Sequence, residues 1–180
     1  SDVCSSDLTA VVLLRMHGKI YIAIKSEGDL QKRAVSKINR SLIVFIVMYV
    51  LLTIWALIAY PHLLVNYSNP IWFIFPLILI LSVVMIPMMI KKEKYFRAFI
   101  FSSLIIVASI VTVAVGIFPN FVISNPNPAN SLDIYNAASS EKTLNVMFII
   151  ACIGVPLVLL YSIVVHKIFS GKVKSDDIIY

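Results

Sequence analysis

Side chains that could do chemistry are scarce in this chain, and they avoid its longest apolar stretches. Four stretches, Ser41–Tyr60, Ile71–Ile90, Ala98–Phe118 and Leu144–Val165, contain no Asp, Glu, Lys or Arg. A proton or ion pathway through a bilayer normally needs an ionisable side chain inside a span, because such a residue is costly there and is retained only for use. The four stretches therefore predict no catalytic residue.

Metal and haem ligands are equally scarce. His62 and His166 lie at the edges of apolar stretches, where a histidine tip reaches the headgroup layer. Cys152 lies inside the last stretch and Cys4 near the start of the chain, a placement that predicts neither a disulfide framework nor a metal site. Methionine in an apolar span is usually packing material. We therefore assign no metal ligand and no haem ligand to this chain.

Arg15 and His17 are the exception. They precede Lys25 by ten and eight residues, which is about 12 to 15 Å along a helix that ends at Lys25. If that helix crosses a membrane, Arg15 needs a partner at depth. Two interpretations stay open. In the first, Arg15 faces a protein interface, pairs with a carboxylate of another helix or extends its side chain to the membrane surface. In the second, Arg15 and His17 contact a quinone or a lipid headgroup.

The four apolar stretches are each long enough to cross a bilayer. At about 1.5 Å per residue, a helix of about 20 residues spans roughly 30 Å, the thickness of the hydrocarbon core. The composition agrees, with 60% hydrophobic residues, 13% charged residues and a mean hydropathy of +0.95. Residues 8–24 are typical of the lower part of another helix. We predict an all-α, polytopic transmembrane helical bundle with four complete spans and the end of a truncated preceding helix.

This pattern divides the chain into four segments. Residues 1–7 match neither a span nor a targeting signal and form an unmatched start, for which an artefactual origin is one interpretation. Residues 8–40 comprise the end of the truncated helix and a basic cytoplasmic loop. Residues 41–165 form the four-helix transmembrane unit, and residues 166–180 form a cytoplasmic tail. We interpret the chain as the C-terminal portion of a longer protein.

The basic residues predict the orientation of the spans. All but one of the fifteen Lys and Arg lie before the first complete span, in the loop Lys91–Arg97 or after Val165. The other loops, Pro61–Pro70 and Pro119–Thr143, hold only Lys142. Because basic loops stay on the cytoplasmic side, we predict a multi-pass membrane protein with a cytoplasmic C-terminus. The net charge of +6 is then a topology signal, and no nucleic-acid partner is predicted.

Small residues on the third complete span predict close helix packing. Ala108, Thr112 and Gly116 recur at four-residue spacing, which places them on one face where a neighbouring helix can approach closely. Pro156 in the last span removes one backbone hydrogen bond and is expected to bend that helix. Packing geometry is the simpler interpretation of this proline, and a functional kink is the alternative.

Several segments, taken in order, resemble one known family. Residues 17–33 resemble the cytoplasmic end of the fourth helix in subunit II of cytochrome bd-type quinol oxidases. Residues 97–104 and 116–120 are similar to that family's seventh helix and its exit. The clearest likeness is the segment Ser131-Leu-Asp-Ile-Tyr-Asn-Ala-Ala-Ser-Ser-Glu-Lys-Thr-Leu-Asn-Val-Met, which continues to residues 155–161.

The resemblance implies an eight-helix subunit built of two four-helix units and paired with subunit I in the bacterial inner membrane. In that family subunit I carries haem b and haem d, oxidises quinol and reduces oxygen to water. The resemblance thus implies an enzyme as part of a complex, in which this chain binds no cofactor, supports the haem-bearing subunit and contacts the lipid bilayer and, in one interpretation, a quinone.

For the external loop we expect ordering by Tyr135, Asn136 and Ser139, with a plain solvated connector as the alternative. Ser139 or Ser140 is expected to cap the last helix. Two functions of other classes stay open for the whole chain. One is a small membrane transporter or channel, which predicts charges or solute sites at broken helices. The other is a purely structural membrane scaffold without an oxidase partner.

Overall fold

Helices account for most of the molecule. The computed structural model describes residues 2–122, 124, 130–169 and 171. Its helices are α1 (Asp2–Lys25), α2 (Gly28–Ser36), α3 (Ile38–Ala59), α4 (Ile74–Lys91), α5 (Tyr95–Ile117) and α6 (Glu141–Ile168). Two 3-10 segments, Pro61–Ser68 and Pro70–Phe73, connect α3 to α4.

Among the residues that the structure describes, four helical stretches are long and apolar enough to cross a membrane. They are Gly28–Ala59, Pro70–Lys91, Tyr95–Ile117 and Glu141–Ile168. Each contains one of the four predicted spans, apart from a single residue at one end of two of them. The predicted fold class, an all-α polytopic transmembrane helical bundle, is confirmed.

The chain forms two compact units, of which the first ends at Ile117. Its core is a cluster of apolar side chains from α1, α3, α4 and α5. The most deeply buried members, each at most 1% exposed, are Met16, Ile20, Ala23, Ile38, Phe45, Ile86, Ala98 and Ile105. Lipid tails are as apolar as these side chains, so close van der Waals packing rather than escape from water holds such helices together.

The helix that enters the first span is interrupted at a single residue. The structure ends α2 at Ser36 and begins α3 at Ile38, with Lys37 between them in the right-handed helical region at φ −96° and ψ −6°. Gly28–Ala59 therefore forms one helical stretch. Gly28 begins α2 at φ +68°, a left-handed conformation that glycine adopts without steric cost.

The second unit comprises residues Phe118–Gly171. A short antiparallel pair, β1 (Asn120–Val122) with β2 (Leu132–Asp133), precedes α6, and Asn120 lies opposite Asp133. Sequence reasoning did not predict this pair. Parts of the predicted external loop (residues 123 and 125–129), residue 1 and most of the predicted tail (residues 170 and 172–180) lie outside the described residues.

Candidate functional site

Helix α1 packs against α3 on one side and against α5 on another. Residues four apart on a helix share a face, so Arg15 and Lys19 lie together. Met16 and Ile20 form a second pair at the same spacing, and both are fully buried. His17 is two positions beyond Arg15, about 200° around the helix, so the two residues singled out in the sequence lie on different faces.

His17 is held against α5. Its Nδ1 lies 2.7 Å from Ser102 Oγ, and its ring centroid lies 4.4 Å from that of Phe99. The hydroxyl of Ser102, which is fully buried, donates to the Phe99 carbonyl at 2.8 Å. A serine hydroxyl has a single proton and a carbonyl can only accept. When both bonds form, the imidazole must therefore carry its proton on Nδ1 and donate it to Ser102.

Arg15 faces a cationic cavity between α1 and α3. The cavity has a volume of about 420 Å³ and is lined by Val12, Arg15, Lys19, Lys37, Arg40, Ser41 and Val44. Four of these seven residues are cations and none is acidic. We name it the basic cavity.

Hydrogen bonds fix part of the cavity wall. Lys19 Nζ donates to Ser41 Oγ, and Ser41 Oγ in turn donates to the Lys37 carbonyl at 3.1 Å. Ser41 is only 8% exposed. One of the three protons of the Lys19 ammonium is thus used inside the protein, and the charge itself stays unbalanced by any carboxylate of the lining.

The sequence contains the signal for this cavity, although reasoning from the sequence did not use it. The lining residues of α1 have the spacing i, i+3, i+7, and those at the start of α3 have the spacing i, i+3, i+4, i+7. Such spacings mark one helix face each. What the sequence does not reveal is that these two faces lie opposite each other.

The small-residue face of α5 packs against the first 3-10 segment. Ala108 is 2% exposed, and a Cβ added at Gly116 would lie 3.5 Å from the Leu63 side chain. The Tyr67 hydroxyl donates to the Thr112 carbonyl at 2.7 Å. Burial raises the pKa of the Tyr67 phenol, so the phenol keeps its proton and stays a donor.

In the second unit, a carboxylate organises the turn after β2. Asp133 Oδ1 accepts from the backbone N–H groups of Tyr135 and Asn136 at 2.8 and 2.6 Å. The Asn136 side chain accepts from the Asp133 N–H and donates to the Ser131 carbonyl, both at 2.8 Å. The ring of Tyr135 is 76% exposed. Sequence reasoning named Tyr135 and Asn136 but missed Asp133, whose bond to the N–H group two residues on, that of Tyr135, is typical of an Asx turn.

The cap of α6 is Ser140 rather than Ser139. Ser140 Oγ accepts from the Thr143 N–H at 3.4 Å, and Glu141 in the first turn faces the positive end of the helix dipole. Pro156 lies inside α6. Within the part of the chain that the structure describes, no group of three or more His, Cys, Asp or Glu could hold a metal ion.

Together, the four span-length helices found among the described residues and the absence of Asp, Glu, Lys and Arg from the four apolar stretches define a polytopic α-helical membrane protein. Residues 4–169 match the sequence model of the family described as cytochrome bd terminal oxidase subunit II. The chain therefore belongs to this family, and the resemblance seen in the sequence is confirmed.

Individual relatives agree with the family. The chain is 33% identical over 116 residues to the cytochrome bd-I ubiquinol oxidase subunit 2 of Escherichia coli K12, an alignment that covers 64% of this chain and 31% of that protein. It is 25% identical over 170 residues to the cytochrome bd ubiquinol oxidase subunit 2 of Bacillus subtilis, covering 94% of this chain and 50% of that protein. A probable cytochrome oxidase subunit 2 of Haemophilus influenzae is 32% identical over 61% of this chain and 29% of its own length. The chain thus spans about a third to a half of these relatives.

Proposed function

We propose that this chain is part of the non-haem subunit of a cytochrome bd quinol oxidase. In this role it supports the haem-bearing subunit I while the complex oxidises quinol and reduces oxygen to water in the respiratory chain. The observation that carries the proposal is the family match, which extends over residues 4–169. The names of the relatives in Escherichia coli and Bacillus subtilis support the quinol-oxidising class.

In this proposal the redox chemistry belongs to the partner. Haem b and haem d are bound by subunit I, quinol is the substrate of the complex, and this chain is not catalytic alone. Its own contribution is a stable membrane-embedded surface. The many exposed apolar side chains of α6, for example Ile153, Leu157 and Leu160, which are each more than 60% exposed, support a helix that is covered by lipid or by a partner helix.

The distribution of basic residues supports an orientation with the C-terminus in the cytoplasm of a bacterial cell. In that orientation the loop between α5 and α6 is external. Asp133 and Asn136 then order an external turn, with Tyr135 and Ser139 at its surface. The small residues Ala108, Thr112 and Gly116 let a neighbouring segment pack closely against α5. Pro156 bends α6 and has no further role in this proposal.

The test is to purify the C-terminally tagged gene product from bacterial membranes in mild detergent and to record its reduced-minus-oxidised absorbance spectrum. We expect the bands of haem b and haem d to copurify with the tag, together with quinol-dependent oxygen uptake. Blue-native electrophoresis of the same sample should show one complex that contains both subunits.

The control is the same purification from cells in which the haem-bearing subunit is deleted. Loss of the haem bands there, with the tagged chain still in the membrane, would assign the haems to the partner. If the tagged chain purifies without haem from cells that express subunit I, the proposal is wrong, and the scaffold and transporter functions become the leading ones.

A further inference from the structure

We propose that the basic cavity between α1 and α3 binds the phosphate headgroup of an anionic phospholipid from the cytoplasmic leaflet. The cavity lining combines four cations, from α1 and from the start of α3, with two valines. The inference rests on the membrane topology of the proposed function and does not depend on the oxidase activity.

The charges of the cavity call for a counter-ion from outside the protein. Arg15, Lys19, Lys37 and Arg40 line one space of about 420 Å³ without an acidic neighbour. The sequence has no carboxylate between Asp7 and Glu27, or between Asp29 and Glu93. Like charges that line one cavity repel each other. An anion that enters the cavity removes this cost.

The position of the cavity points to a lipid. Lys37 and Arg40 stand immediately before the uncharged stretch that begins at Ser41, which is the depth of the headgroup layer in a spanning helix. Val12 and Val44 line the same cavity and offer an apolar surface to the first methylenes of an acyl chain. Basic pockets between helices on the cytoplasmic side are a known setting for anionic headgroups.

The set of donors favours a headgroup with more than one negative charge. Arginine binds phosphate oxygens in a bidentate manner, whereas lysine acts as a point charge. The cavity offers two of each, which matches the two phosphates of diphosphatidylglycerol better than the single phosphate of phosphatidylglycerol. Zwitterionic phosphatidylcholine carries an ammonium group that the four cations repel.

The test measures lipid binding to the purified, complete complex. The double variant Arg15→Gln/Arg40→Gln removes two cations from the cavity. The control variant Lys32→Gln/Arg33→Gln removes two cations from α2, neither of which lines the cavity, and leaves the same net charge. Each delipidated protein is titrated with detergent micelles that contain diphosphatidylglycerol, phosphatidylglycerol or phosphatidylcholine, and bound lipid is counted by native mass spectrometry.

For the cavity variant we expect an affinity for diphosphatidylglycerol about 30-fold lower than that of the parent protein, since each cation near a membrane surface contributes to anionic-lipid binding by mass action. The control variant should change by less than about threefold. An equal loss in both variants would overturn the proposal, because it would show general attraction to the charged surface. Failure of the parent protein to retain diphosphatidylglycerol over phosphatidylcholine would overturn it as well.

A competition with inorganic phosphate separates a lipid site from a site for a soluble anion. At equal phosphorus concentration, inorganic phosphate should leave the bound lipid in place, because it lacks the acyl chains that contact the valines. Displacement at equal concentration would assign the cavity to soluble phosphate and overturn the lipid. The haem spectrum of every sample is recorded, so an absence of haem would count against the proposed function without bearing on the lipid result.

A second variant guards against misfolding. Val44→Glu keeps all four cations and places a carboxylate at the cavity. We expect it to lower lipid retention while the melting temperature of the lipid-free protein stays equal to or above that of the parent. Unchanged lipid retention in this variant would contradict the assignment.

Discussion

Helix α1 presents two contrasting surfaces to its neighbours. Toward α5, His17 bonds to a serine that is fully buried, and Met16 and Ile20 of α1 are buried in the core that α1 shares with α3, α4 and α5. Toward α3, Arg15 and Lys19 face a cavity with two further cations and no acidic residue. On the first side the polar and apolar groups find their partners within the protein. On the second side, no acidic residue of the lining neutralises the four cations.

The contrast shows how a membrane protein can separate stability from recognition on a single helix. Packing and satisfied hydrogen bonds fix the position of α1 against α5. Because α1 is fixed in this way, its opposite face can hold cations that repel each other. Their repulsion lowers stability until an external anion binds. If this division is correct, substitutions on the two sides of α1 should change the free energy of unfolding by different amounts and with opposite signs, and the two changes should respond differently to salt.

The largest effect is expected from the packed side. Ile20→Ala deletes a side chain that is fully buried and leaves a cavity, which we expect to lower the free energy of unfolding by about 3 kcal/mol. The measurement is unfolding of the purified protein in mixed micelles. The matched control is Leu14→Ala, whose side chain is 57% exposed and should cost less than about 1 kcal/mol. Equal costs for the two variants would show that burial of Ile20 in the shared core adds no packing energy.

The next effect concerns the polar contact on the same side. Ser102→Ala removes the partner of His17 and should cost about 1.5 kcal/mol, because a buried donor is left without an acceptor. His17→Phe keeps a ring against Phe99 but has no proton to donate. In the double-mutant cycle we expect a coupling energy of about 1 kcal/mol. A coupling near zero would mean that the 2.7 Å contact contributes nothing to stability.

The spans could be predicted from sequence because their signal is local. A stretch such as Ser41–Tyr60, which has no charged residue, can be recognised as a span from its own residues alone. The helix cap was likewise predicted to within one residue, as Ser139 or Ser140. The position of the interruption between α2 and α3 cannot be read from the sequence, because Lys37 is neither glycine nor proline. The strands β1 and β2 are three and two residues long, which is too short to show the alternation of apolar and polar residues that predicts a strand.

The candidate site was predicted only in part, for a physical reason. Arg15 was noticed because a cation inside a helix of apolar neighbours is unusual. Its companions Lys37 and Arg40 were assigned to topology alone, since the sequence does not state which faces of α1 and α3 meet. Arg15 and His17 were grouped because they are near in sequence, although two positions on a helix point in nearly opposite directions.

The third prediction tests the charged side of α1, where a substitution should raise the free energy of unfolding and not lower it. In lipid-free detergent at low ionic strength, Arg40→Gln relieves repulsion with the three other cations of the basic cavity. We expect this variant to raise the free energy of unfolding by about 1 kcal/mol. The gain should shrink at an ionic strength of about 1 M, where the screening length falls to about 3 Å. Arg33→Gln, outside the cavity, is the control and should change little at either salt concentration.

The smallest effect is expected at the residue that ties the charged side to the protein. Ser41 accepts from Lys19 and donates to the Lys37 carbonyl, so Ser41→Ala removes two hydrogen bonds at the wall of the basic cavity. Because both partners lie near water and can be solvated, the cost should be only about 0.5 kcal/mol. Ser103→Ala is the matched control, since its hydroxyl donates only to the Phe99 carbonyl of its own helix and should cost less. A loss at Ser41 as large as that at Ser102 would mean that the cavity wall is as firmly built as the packed side, and the proposed division of α1 into a structural and a recognising face would be wrong.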